Sequence, residues 1–126
     1  MEFTIEFAGE PQDVTIVASG AADPTGFELM NERLMSDPRF RAGLSYLIDL
    51  SDIDVTALPA SDVEHIAERG SVSTWHYPPH AVAVVASNPE TLAQAQLAIA
   101  HMGGRKSGHR AFATRDEAIA WLREQR

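Results

Sequence analysis

The sequence predicts an α/β fold, a mixed five-stranded sheet with helices on its faces in the order β-β-α-β-α-β-α-β-α. Three observations predict it. Two segments near the start alternate apolar and polar residues. Two later segments, LSYLIDL and AVAVVAS, are almost continuously apolar. Between and after them, apolar residues recur at helical spacing behind capping residues. Alternation marks half-buried strands, and unbroken apolar runs mark strands covered on both sides. Strands that alternate with helices build a mostly parallel sheet.

Each element has its own warrant. Phe3, Ile5 and Phe7 alternate with Glu2, Thr4 and Glu6, which predicts the first strand. AGEPQD is a polar turn, and Val14, Ile16 and Ala18 resume the alternation, so the two strands form an antiparallel hairpin. Asp23-Pro24 supplies a helix cap and a proline at the first helical position. Phe27, Met30 and Leu34 follow at helical spacing, and Asp37-Pro38 ends that helix. Leu44 to Leu50 is a central strand. Ser61 with Glu64 matches a capping box, Val63, Ile66 and Ala67 form the apolar face behind it, and Gly70 is placed to close the helix. AVAVVAS, from Ala81, is the second central strand. Asn88-Pro89 opens a helix whose inner face holds Leu92, Ala95, Ile99 and Met102, and Gly103-Gly104 ends it. HRAFA is a short strand. Thr114 and Glu117 form a second capping box, and the last helix buries Ala118, Trp121 and Leu122.

The 126 residues suit one domain, residues 1–126. No apolar stretch approaches the roughly 18 residues of a membrane span. The start, MEFTIEFAGE, is acidic and unlike a targeting peptide. With no cysteine there is neither a disulfide framework nor thiolate chemistry. A cytoplasmic location is the default expectation. The net charge of −8 is uneven: residues 1–63 hold 12 acids and 3 bases, residues 64–126 hold 6 acids and 7 bases. That balance argues against nucleic-acid binding, which needs a basic face.

Ligands of such sheets tend to bind at the carboxyl ends of the parallel strands, beside helix N-termini. Those ends are expected to carry Asp49, Ser51, Asp52, Ser61, Ser87, Asn88 and Arg115, which form the candidate ligand- or partner-binding set. The stretch DLSDIDVTALPASD, from Asp49 to Asp62, is expected to be a strand-to-helix connection. It is not a calcium loop of the helix-loop-helix type: Ala57 stands where glycine is required and Val63 where glutamate is required. His76 and His80 flank YPP, and the prolines forbid the shared helical face that a zinc pair needs. His65 has Asp62 and Glu68 three residues away, an arrangement common on charged helix surfaces. GGRKSGHR lacks the lysine and hydroxyl of a phosphate loop and joins helix to strand, the wrong order. A weak anion or partner contact through Arg105 and Lys106 is the most it offers. No G-x-S-x-G elbow is present. The expectation is a non-enzymatic protein with no metal and no cofactor.

With the hairpin, three further β-α units and LIDLSDIDVTALPASD in view, the chain resembles the STAS/SpoIIAA-like family of sulfate-transporter and anti-sigma-factor-antagonist domains. LIDLSDI, AVAVVAS and the ending AFATRDEAIAWL, with Phe112, Glu117, Ala118, Trp121 and Leu122, carry the resemblance. It covers nearly the whole chain in element order. It implies a regulatory phosphorylation serine at the start of the helix after the central strand. Ser61 is the nearest residue, but LPASDVE keeps neither the serine pair nor the glycine of that segment. The group is also similar in fold to lipid carriers of the CRAL-TRIO type. TLAQAQLAIAHMGG is apolar on more than one side, so Leu97 and Ile99 are expected on a face that meets a second copy or an apolar ligand, self-association being favoured. The expected function is a binding or regulatory module for a protein partner or small ligand. A small carrier of an apolar or anionic ligand is the alternative.

Overall fold

The structure is a computed structural model. It describes residues 1–103 and 108–125, and for residues 70–75 the backbone alone. The basic pair Arg105 and Lys106, and Gly104, lie outside the described residues.

Five strands form one sheet in the order β1-β2-β3-β4-β5: Glu2–Glu6, Val14–Ala21, Ser45–Asp54, Ala81–Val85 and His109–Phe112. β1 pairs antiparallel with β2, and the other three pairings are parallel. Four helices complete the fold: α1 Pro24–Ser36, α2 Ala60–His76, α3 Pro89–His101 and α4 Arg115–Glu124. The mixed five-stranded α/β architecture is therefore as expected. Each crossover advances one strand in the same direction, and right-handed crossovers then place α1, α2 and α3 on one face. α4 packs on the other.

The alternation in β2 buries Val14, Ile16 and Ala18. In the hairpin turn, Gly9 has φ +152°, and the Gln12 side chain approaches so closely that an added Cβ would lie 2.7 Å from it. β4 is buried at every position, Ala81 to Val85, because both its faces are covered. Three of the expected caps are made. Asp23 Oδ1 accepts from the Thr25 N–H, Asn88 Oδ1 from the Glu90 N–H, and Thr114 Oγ1 from the Glu117 N–H.

Three expected boundaries move. β3 does not end at Leu50 but runs on to Asp54, because β2 extends beside it to Ala21. Ser51 and Asp52 therefore join Asp49 as strand residues rather than forming a connecting loop. α2 starts at Ala60, before Ser61: the Pro59 carbonyl accepts from the Asp62 and Val63 N–H groups. Ser61 lies inside the first turn and is not the cap. Gly70 does not close α2, which continues to His76. An interior glycine weakens a helix without ending it, and the stop comes where Pro78 and Pro79 bar helical geometry.

Candidate functional site

The site grows from an irregularity in β3. Val17 pairs with Asp49 but Ser19 pairs with Asp52, so Ala18 faces two residues, Leu50 and Ser51. This is a β-bulge, and it switches which alternate residues face which way. Before it, Ile48 and Leu50 point to the α1–α3 side. After it, Ile53 and Val55 do, and Asp52 and Asp54 are exposed. Were the same residues paired with β2 without a bulge, the two aspartates would take the inward positions.

Asp49 holds the bulge. Its Oδ1 accepts from the Ser51 N–H at 2.9 Å and its Oδ2 from Arg115 at 3.1 Å. Burial, the largest influence, opposes ionisation of the carboxyl. The bonds from the Ser51 backbone and side chain and from the Arg115 guanidinium outweigh it and hold the group below the usual carboxylate range. Asp49 and Arg115 thus meet, and the pair ties β3 to the start of α4. At the strand's end, Asp54 Oδ1 accepts from the Thr56 N–H and hydroxyl at 2.9 and 2.7 Å, which lowers its pKa too. Asn88 caps α3, beside exposed Ser87. Ser61 is exposed beyond the far end of β3. Asp49 is level with Val85, the last residue of β4, whereas β3 continues five residues further. Ser61 lies in the first turn of α2, on the three-helix face of the sheet, whereas Arg115 opens α4 on the other face. The expected set is split between two places.

Leu97 and Ile99 do not share a face. Positions two apart on a helix are turned by about 200° from each other. Ile99 packs inward against the sheet, and Leu97 is 41% exposed.

The inward side holds what the sequence did not disclose. An apolar cleft of about 690 Å³ opens between α1, α2, α3 and the sheet. Ile48, Leu50, Ile53 and Val84 form its floor. Phe27 and Met30 of α1 form one wall, and Ala95, Ala98 and Ile99 of α3 the other. Val63 and Ile66 of α2 line its roof. Among the described residues α2 rests on α1 and α3 and scarcely on the sheet, so it spans the gap. Polar contacts brace both its flanks. Arg69 meets Glu28 of α1 at 3.4 Å, and His101 of α3 lies 3.9 Å from Glu64. A cleft of this size falls within the range of small-molecule pockets. Polar residues on the inward stripe of α3, Thr91 and Gln94, were the available sequence signal, since a helix face packed into a core seldom carries them.

Among the described residues no group of three or more His, Asp or Glu is placed to hold a metal, and no helix is long and apolar enough to cross a membrane. No protein-family model matches this sequence, and no curated protein matches it. Among solved structures, the chain is similar to an uncharacterized protein of the DUF3478 family from Shewanella loihica PV-4, described as having a SpoIIAA-like fold. The match has a TM-score of 0.61 and 18% identity, and covers 96% of this chain and 92% of that one. The architecture and this likeness agree with the resemblance carried by LIDLSDI and AFATRDEAIAWL: the chain has a SpoIIAA-like fold.

Proposed function

We propose that the chain is a non-catalytic binding module that holds a small, mainly apolar molecule between its three crossover helices and the sheet. One observation carries this reading, the cleft of about 690 Å³ floored by Ile48, Leu50 and Ile53. Protein interiors are close-packed, and voids larger than a water are few. An apolar space this large is stabilised when an apolar body occupies it. The alternative of a small carrier is thereby preferred to recognition through the strand-end residues, which the fold divides.

Native mass spectrometry of gently purified protein tests the reading. The expected result is a mass above an integer multiple of the chain that is lost on denaturation, and loss of that excess in Ala98→Trp, which fills the cleft. A bare chain that also fails to bind pyrene would overturn it. Protein recognition retains one favourable observation: Ser61 is exposed in the first turn of the helix after the central strand. Phosphate is tolerated at such a position. A mass gain at Ser61 in cells would support that second reading.

A further inference from the structure

Gln94 stands on the inward stripe of α3, with Thr91 before it and Ala98 after it, and all three line the cleft. The Thr91 hydroxyl donates to the Ile53 carbonyl at 3.3 Å. The Gln94 side-chain oxygen is buried and has no hydrogen-bond partner among the described residues. Such an atom costs stability, and native proteins keep few. Leucine or methionine at this position would complete the apolar wall without that cost. A glutamine here calls for a partner that the chain does not itself provide.

The second observation is the charge on the lining. Glu28, Glu32 and Glu68 line the cleft with charged side chains, and Arg69 is already engaged by Glu28. The chain as a whole carries −8. An anionic head group meets like charge from Glu32 and Glu68, and on the inward stripe of α3 it meets the neutral side chains of Thr91 and Gln94. Burying an ionised group without a counter-charge is costly. A neutral group escapes both penalties. The Gln94 amide can accept from a hydroxyl or, turned over, donate to one.

We infer that the cleft takes a neutral, mainly apolar molecule with a single hydrogen-bonding group, of the long-chain alcohol type, and that Gln94 meets that group. This rests on the cleft being a ligand site, and the test separates the two. Pyrene, which has no hydrogen-bonding group, reports occupancy by its fluorescence. 1-Decanol and decanoate compete with it at about pH 8, where decanoate is ionised; His65, His76 and His109 also line the cleft.

The expected result is that decanol displaces pyrene at least tenfold more tightly than decanoate does. Gln94→Leu is expected to weaken decanol about tenfold, leave pyrene unchanged, and raise the melting temperature of the free protein. Gln94→Met repeats the measurement if the leucine variant fails to fold. Decanoate binding as tightly as decanol, or decanol unaffected by either substitution, overturns the inference and leaves the cleft standing. Pyrene that fails to bind, or binds Ala98→Trp equally, overturns the cleft reading itself.

Discussion

On one face of the sheet a single helix, α4, seats Ala118 and Leu122 against Leu47, Ala81, Ala83, Val85 and Phe112, none more than 8% exposed. On the other face three helices cover the sheet, yet α1 has no buried residue and α2 stands away from the strands. The difference begins with side-chain size. Ala81, Ala83 and Ala118 let α4 approach closely, and Trp121 flanks Phe112 with ring centroids 5.6 Å apart. On the other face α1 and α3 hold α2 off the sheet, and the space beneath it stays open. One face is built for stability and the other keeps room.

The largest expected effect breaks the packed face. Leu122→Ala leaves a cavity where the side chain was 2% exposed, and is expected to cost about 3 kcal/mol in urea unfolding. Phe27→Ala, on the cleft wall, removes a larger side chain and is expected to cost less than about 1.5 kcal/mol, because that ring already borders empty space. Equal losses would mean that the two faces are packed alike.

Asp49→Asn tests the link between the faces. The charge that ties the bulge to α4 is lost, with an expected cost of about 1 kcal/mol after allowing for partial solvent exposure. The folded pKa of Asp49 is depressed, so its contribution is complete above the ordinary aspartate value near about 3.9 and is lost as pH falls through the lower folded value. Stability curves of the two proteins should stay parallel above about pH 5 and converge in acid. Curves that stay parallel throughout would show that the Asp49 charge contributes nothing.

Thr114→Ala removes the cap of α4 and is expected to cost about 1 kcal/mol by thermal unfolding. Arg69→Ala sharpens the comparison from the other side. Its pair with Glu28 is exposed, so stability should fall by no more than about 0.5 kcal/mol. A larger loss would make α2 a structural member rather than a roof propped over a cleft.

Local patterns were legible in the sequence because they depend on neighbours in the chain. The alternation of Val14, Ile16 and Ala18, the apolar run of β4 and the caps at Asp23, Asn88 and Thr114 all appear in the structure. Features that need a distant partner were not legible. The bulge in β3 exists only relative to β2, so LSDID could not show whether its aspartates or its isoleucine face inward. Pro59 takes the cap of α2 because of where the chain leaves β3, and Ser61 seemed a sufficient cap by type alone. The Asp49–Arg115 meeting follows from register, since Asp49 lies level with Val85 and Phe112, the last residues of β4 and β5, and Arg115 begins the next helix. The cleft depends on how far three helices stand from the sheet, a quantity that no stretch of sequence carries.

The bulge has a genetic consequence. β3 holds two alternative linings in one stretch, Ile53 with Val55 and Asp52 with Asp54, offset by a single residue. Deleting one codon at Leu50 or Ser51 would restore an even pairing with β2 and leave Ile53 and Val55 inward, because Ser19 keeps Asp52 as its partner. The strand can lose its bulge by deletion and keep a hydrocarbon floor, whereas a one-residue slip at full length would make that floor anionic.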